Sequence, residues 1–157
     1  MKLELWCINK TSKKFIQEGI DIYTKRIGHY VKFEIKIFPA PRGSQKLPIQ
    51  KLKIAEADII ISKLDTSDHL ILLDEHGKQY SSIEFSKQIE KLQNASIKRL
   101  IFLIGGGYGF DEKLHAISKS KISLSKMTFP HELVRVIFLE QLYRACTILK
   151  GEKYHHI

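Results

Sequence analysis

Two short runs in this chain are apolar almost without interruption: residues 69–73 read His-Leu-Ile-Leu-Leu, and residues 100–104 read Leu-Ile-Phe-Leu-Ile. A strand with one face in water alternates apolar and polar residues. One that is apolar on both faces must be covered on both, which is the situation of strands in a parallel sheet flanked by helices. The rest of the chain supplies such helices in alternation. Residues 2–8 read as a strand, and Thr11 or Ser12 then offers an N-cap. The stripe Phe15, Ile16, Gly19, Ile20, Tyr23 and Ile27 follows at helical spacing before Gly28. Residues 33–38 alternate as a half-buried strand does. The stretch from Phe38 to Pro48 holds three prolines and a glycine, so it reads as a basic surface loop without regular structure. Residues 49–64 read as a helix, and Asp74-Glu75-His76-Gly77 as the break that ends the third strand. Ser81 and Glu84 have capping-box spacing ahead of the Phe85, Ile89 and Leu92 face. A weaker helix at 110–118, a last strand at 121–124 and a long helix from Pro130 to about Lys150, stopped by Gly151, complete the pattern. Repeated strand–helix units predict an α/β fold, a mainly parallel sheet with helices on both faces, in one domain over residues 1–157.

Charge narrows the partners. Lysine and arginine number 26 against 17 acidic residues, a formal +9. Residues 1–68 carry 13 basic and 8 acidic groups, and residues 69–157 carry 13 and 9, so the excess is spread along the chain. Such a balance favours a polyanion, through steering and counterion release, while remaining compatible with a merely basic protein. No apolar stretch approaches the roughly 20 residues of a membrane span. Cys7 and Cys146 cannot form a disulfide framework. A cytoplasmic protein is expected.

The last helix is apolar nearly all round: Leu133, Val134, Val136, Ile137, Phe138, Leu139, Leu142, Tyr143, Ala145, Cys146, Ile148 and Leu149. Such a helix buries more than one face, and in a chain this small a second subunit is the expected cover for one of them. Four glycines in five positions, Gly105-Gly106-Gly107-Tyr108-Gly109, follow an apolar strand, where backbone without Cβ atoms lets a ligand approach closely. The run fits neither a dinucleotide fingerprint, since Phe110 stands where glycine is required, nor a P-loop, since no Gly-Lys-Ser/Thr occurs. Two further strand ends could share its pocket, 72–77 and 123–130. Among the seven histidines, His29, His69 and His115 read as structural or solvent-facing. His131 falls in the first turn of the last helix, and His155 and His156 follow Tyr154 near the C-terminus. No cysteine or histidine spacing suits a metal site, and no Gly-x-Ser-x-Gly elbow is present. The residues alone lead to a basic, dimeric α/β protein with a glycine-rich ligand site; they do not reach a reaction.

Five segments in order carry a resemblance. Leu73-Asp74-Glu75-His76-Gly77, Gly105-Gly106-Gly107-Tyr108-Gly109, residues 124–131, Leu142-Tyr143-Arg144-Ala145 and Tyr154-His155 resemble the RlmH family of SPOUT-class methyltransferases. The resemblance spans the whole chain. It implies an α/β knot, with the C-terminal part threaded as a trefoil, and a homodimer acting on the ribosome through 23S ribosomal RNA. It implies S-adenosylmethionine as co-substrate and no metal. The methyl donor would be held by Leu73, Gly105, Leu124, Ser125, Lys126, Met127, Thr128 and Phe129, and the methyl acceptor would be N3 of a pseudouridine. Tyr154, to position the base, His155, for the proton or a hydrogen bond to the uracil edge, and Arg144, to stabilise the developing anion, are the expected catalytic residues. The tail that carries the first two would lie over the partner's pocket. One departure stands out: where relatives often carry arginine after Tyr-His, this chain has His156 and then Ile157, leaving Arg42, Lys46 or Lys126 to contact RNA. The rivals are a SPOUT methyltransferase for another rRNA or tRNA nucleotide and a non-catalytic ribosome-binding protein of the same fold. A nicotinamide oxidoreductase is disfavoured by the broken fingerprint.

Overall fold

The computed structural model describes residues 1–156; Ile157, the last residue of the expected domain and part of the departure at the tail, lies outside the described residues. Strand β1 spans Lys2–Ile8, helix α1 Lys14–Ile27, β2 Phe33–Phe38, α2 Ile49–Ile61, β3 His69–Gln79, α3 Ser82–Asn94, β4 Arg99–Ile104, α4 Glu112–Ile117, β5 Ser120–Ser123 and α5 His131–Leu149. The five strands form one parallel sheet in the order β2-β1-β4-β3-β5.

The two apolar runs divide between the sheet's faces. Ile71, Leu73, Leu100, Phe102 and Ile104 join Leu3, Leu5 and Cys7 under α1, α3 and α5. Leu70, Leu72, Ile101 and Leu103 join Trp6 and Ile8 against Ala57 and Ile60 of α2 and Leu114 of α4. Each fully buried side chain of this size contributes about 1.5–3 kcal/mol of transfer free energy, so both layers are integral to stability. The ring pair Phe102–Phe138, 4.8 Å between centroids, fastens α5 to the centre of the sheet. Helix α5 lies between α1 and α3, and at Gly19 of α1 the two helices come close: a Cβ there would stand 3.1 Å from Val136.

Several local expectations are corrected. The N-cap of α1 is Lys13, not Thr11 or Ser12. Those two hydroxyls are spent elsewhere: Thr11 Oγ1 accepts from Arg135 at 2.9 Å, and Ser12 Oγ donates to Glu132 at 2.8 Å. The proline-rich loop is not wholly irregular, because a 3₁₀ turn closes at Ser44–Lys46 after Gly43 takes up a left-handed φ of 68°. The second helix stops at Ile61, earlier than the expected 64. Weak periodicity left the ends of the fourth helix and last strand a residue or two out. The turn residues 74–77 do not end the third strand. Instead β3 continues to Gln79 with a shift of register, so that Ile122 of β5 pairs with Leu73 and again with Lys78. Residues 74–77 thus bulge out of the ladder between two pairings to the same residue of β5. At the crossing Gly77 lies so close that a Cβ would stand 2.6 Å from the Ile122 backbone. This close crossing fits the knotted α/β fold that the resemblance implies.

Candidate active site

Strands β4, β3 and β5 are consecutive neighbours in the sheet, so the glycine loop after β4, the break at residues 74–77 within β3 and the segment after β5 lie side by side. In parallel sheets this edge is where ligands settle. Here the three loops and the start of α5 enclose a cavity of about 840 Å³. Leu73, Gly105, Leu124, Ser125, Met127, Thr128 and Phe129 all line it; Lys126 does not. Its apolar wall is completed by Ile104, Ile122, Phe110 and Val134, a lining suited to a flat aromatic group.

The glycine loop owes its shape to close packing. A Cβ on Gly105 would meet the Phe110 ring at 2.9 Å, and one on Gly106 would meet the Glu56 carboxylate at 2.7 Å. Gly107 faces open space, with only His131 Nδ1 within 4 Å of its absent Cβ, and Gly109 turns the chain with φ 78°. Beneath the loop, burial pushes the Glu56 carboxyl above its ordinary value, and among the described residues no ion pair offsets that cost.

The rim is held by polar links between loops. Thr128 Oγ1 donates to Glu75 at 3.0 Å, joining the segment after β5 to residues 74–77. Asp74 accepts from the His76 backbone N–H at 2.9 Å, and Met127 N–H donates to Ser125 Oγ at 2.9 Å. His115 lines the cavity with Nε2 3.9 Å from Asp74, so it is not merely a structural or solvent-facing residue. Asp74, Glu75 and Glu112 line the cavity against Lys53 alone, three carboxylates to one lysine, a formal −2 with the histidines neutral. A negative cavity in a chain of net +9 suits a cationic ligand and disfavours a polyphosphate.

The tail residues form a second cluster. Glu140 accepts from Arg144 Nε at 3.0 Å and Nη2 at 2.5 Å, and from Tyr154 Oη at 3.1 Å. Arg144 lies over the Tyr154 ring at 4.8 Å and its Nη1 is 3.3 Å from His155 Nδ1. Tyr154 in turn packs on Tyr143, and Tyr30 Oη donates to Glu152 at 2.7 Å, which docks the tail on the body of the chain. Burial, then hydrogen bonds with Tyr23 and Glu140, push the Tyr154 phenol up to about 12, so it stays protonated near neutrality. A guanidinium only donates, so His155 Nδ1 is the acceptor and the neutral ring carries its proton on Nε2. None of Arg144, Tyr154 or His155 lines the cavity of its own chain. Arg144 is 13 residues along α5 from His131, about 20 Å at 1.5 Å per residue.

Glu140, Lys53 and Glu56 escaped the sequence reading. Glu140 sits four residues before Arg144, an ordinary helical ion-pair spacing that gives no functional hint. Lys53 and Glu56 are one turn apart on α2, and only the fold brings that helix under the glycine loop. The two thiols supply no nucleophile: burial raises Cys7 to about 12 and Cys146 to about 11. Among the described residues no cluster of metal-ligating side chains occurs, and no helix is long and apolar enough to cross a membrane.

Comparison with known proteins places this arrangement. A family model described as "Predicted SPOUT methyltransferase" matches residues 1–155. A protein of Christiangramia forsetii named ribosomal RNA large subunit methyltransferase H is 51% identical over 156 residues, covering 99% of each chain. Namesakes from Cytophaga hutchinsonii and Flavobacterium johnsoniae are 51% and 47% identical over 156 residues, covering 99% of this chain and 100% and 99% of theirs. In fold the chain is similar to a protein of Legionella pneumophila described as a methyltransferase and solved with bound SAM. That match has a TM-score of 0.51 at 14% identity and covers 92% of this chain and 66% of that one. Full-length similarity at this level, on a five-stranded parallel sheet, makes the chain a member of the SPOUT methyltransferase family and, within it, of the RlmH family.

Proposed function

We propose that the cavity binds S-adenosylmethionine and that the protein transfers its methyl group to N3 of a pseudouridine in 23S ribosomal RNA, on the assembled ribosome. The observation that carries this reading is the negatively charged, half-apolar cavity where three strand ends meet, in a chain of this family. The names of the relatives support ribosomal RNA as substrate, and the resemblance supplies pseudouridine N3 as the acceptor.

The residues fit the donor. Leu73, Ile104, Leu124 and Phe129 offer apolar surface to an adenine, Gly105 and Gly107 leave room beside the backbone, and Asp74, Glu75 and Glu112 favour the sulfonium charge. When bound, the sulfonium supplies an already electrophilic methyl group, so the protein's task falls on the nucleophile. Transfer forms the N3–CH₃ bond, breaks the S–CH₃ bond and releases the N3 proton to solvent, leaving S-adenosylhomocysteine. As the proton leaves, charge develops on the imide and its two flanking carbonyl oxygens. Donors aimed at those oxygens stabilise the transition state more than the ground state. The tail and helix α5 carry such donors: His155 Nε2–H by its tautomer and the Arg144 guanidinium by its chemistry. Tyr154, protonated, positions the base.

Because the tail lies away from its own cavity, a homodimer in which each tail closes the other subunit's cavity completes the site. Supporting this, Leu133, Val136 and Ile137 of α5 are only half-buried. Beside them, Phe15 and Ile22 of α1 are 67% and 50% exposed on the face that bears Gly19. Calorimetry tests the donor: saturable uptake of S-adenosylmethionine is expected, whereas a bare ribosome-binding protein would show none.

A further inference from the structure

We propose that the loops leaving β1 and β2 form the phosphate-binding track that leads the RNA strand to the cavity. This inference rests on the reading of the chain as an RNA methyltransferase. Residues 5–17 contain Lys10, Lys13 and Lys14 and no acidic residue; residues 37–55 contain Arg42, Lys46, Lys51 and Lys53 and no acidic residue. The seven cations come from two separate stretches of sequence, and the fold brings them together. Strands β2 and β1 are adjacent, and β4, which ends in the glycine loop, is next in order. At about 4.8 Å per strand, the end of β2 is about 10 Å from the end of β4. Lys53 lines the cavity itself, so the track runs into the site.

These cations are free to meet a partner. All but Lys53 are exposed, and among the described residues none of the seven takes part in an ion pair. The opposite edge of the sheet is mixed: Lys2 is paired with Glu4 and Glu34 and Arg99 with Asp65 and Asp68, while Lys32, Lys98 and Lys119 are exposed and take part in no ion pair among the described residues.

Both loops are also held in place. Arg135, fully buried, donates to the Ile8 and Asn9 carbonyls at 2.7 and 2.9 Å and to Thr11 at 2.9 Å. Glu132 accepts from the backbone and hydroxyl of Ser12, so that carboxylate is already occupied, while Asp21 and Glu34 share the groove that Lys10 and Thr11 line. Asn9 is fixed at φ 67°. In the second loop Pro39, Pro41 and Pro48 restrict the chain on either side of the Ser44–Lys46 turn. Cations on pre-ordered loops lose less entropy when they meet phosphates.

The test uses the whole chain with five exposed track residues neutralised, K10Q/K13Q/K14Q/R42Q/K46Q. Its control, K32Q/K98Q/K119Q, removes exposed charges from the opposite edge. The probes are a 20-nucleotide single-stranded RNA, phosphatidylserine vesicles and S-adenosylmethionine. The track variant is expected to take up S-adenosylmethionine as the parent does. Its dependence of log K for RNA on log salt should flatten by about 0.7 for each phosphate no longer neutralised, up to about 3.5 for all five. The control should keep the parental slope more closely. A track variant with the parental slope, a control whose slope falls as far, or a patch that binds vesicles and not RNA would overturn the track. Failure of the parent to take up S-adenosylmethionine would instead strike at the methyltransferase reading.

Discussion

Replacing Gly77 with alanine probes the place where β3 lies closest against the backbone of β5. Gly77 has no left-handed φ, so its need for glycine is one of space alone. The added Cβ would stand 2.6 Å from both N and C of Ile122 and from C of Lys121. Carbon atoms rest at about 3.5–4.0 Å, so the two segments must part by about 1 Å. The obstacle is backbone, which cannot turn away as a side chain does. Overpacking of this kind costs about 1–3 kcal/mol, and the upper end applies here. In a chain of this length about 3 kcal/mol lowers Tm by about 6–12 °C. Parting the strands also strips the pairing of Lys78 with Ile122 and Gln79 with Ser123, and with it the seat of the loop that lines the cavity. Scanning calorimetry and titration with S-adenosylmethionine should therefore both register Gly77→Ala. Gly28→Ala is the matched control: its Cβ would meet only helical carbonyls, at 3.4 and 3.5 Å, and φ is −58°, so Tm should hold or rise slightly. If Gly77→Ala melts within a degree of the parent and binds the ligand equally, the close crossing of residues 74–79 over β5 is wrong.

Glu56→Gln keeps the packing under Gly106 while removing a carboxyl that burial pushes upward. Below the ordinary carboxylate range Glu56 is protonated folded and unfolded, so urea midpoints of parent and variant should coincide. As pH rises through the elevated folded value, ionisation opposes folding in the parent only, and the variant should become the more stable; a difference that ignores pH would refute this. At the tail, His155→Ala and Tyr154→Phe should each lower single-turnover methyl transfer on ribosomes at least tenfold while leaving S-adenosylmethionine uptake within about twofold. Unchanged turnover in both would remove the tail from the reaction. Mixing inactive Arg144→Ala chains with chains inactivated at the cavity by Gly105→Trp should restore about a quarter of parental activity, since one mixed dimer site then combines an intact cavity with an intact tail. No recovery would argue against a shared site.

Much of this architecture is legible before any coordinates. The unbroken apolar runs at 70–73 and 100–104 demand two covered faces, and their residues do divide alternately between the two cores. The Ser81–Glu84 capping box is legible because it is local, and it is present. What escapes is set by contacts distant in sequence. Thr11 and Ser12 look like helix caps, yet α5, more than a hundred residues away, claims both hydroxyls. Residues 74–77 carry turn chemistry, and only the arrival of β5 lets β3 pair again beyond them. The meeting of the three strand ends at one cavity follows from the order β4-β3-β5, which spacing does not encode. Glu56 and Lys53, on an otherwise unremarked helix, become part of the site's surroundings only through that order.

The most direct measurement incubates the protein and methyl-labelled S-adenosylmethionine with ribosomes from cells lacking it, followed by mass spectrometry of 23S ribosomal RNA. One added methyl group, on N3 of a pseudouridine, is expected. Label absent from 23S RNA, or found on another nucleotide, would contradict it.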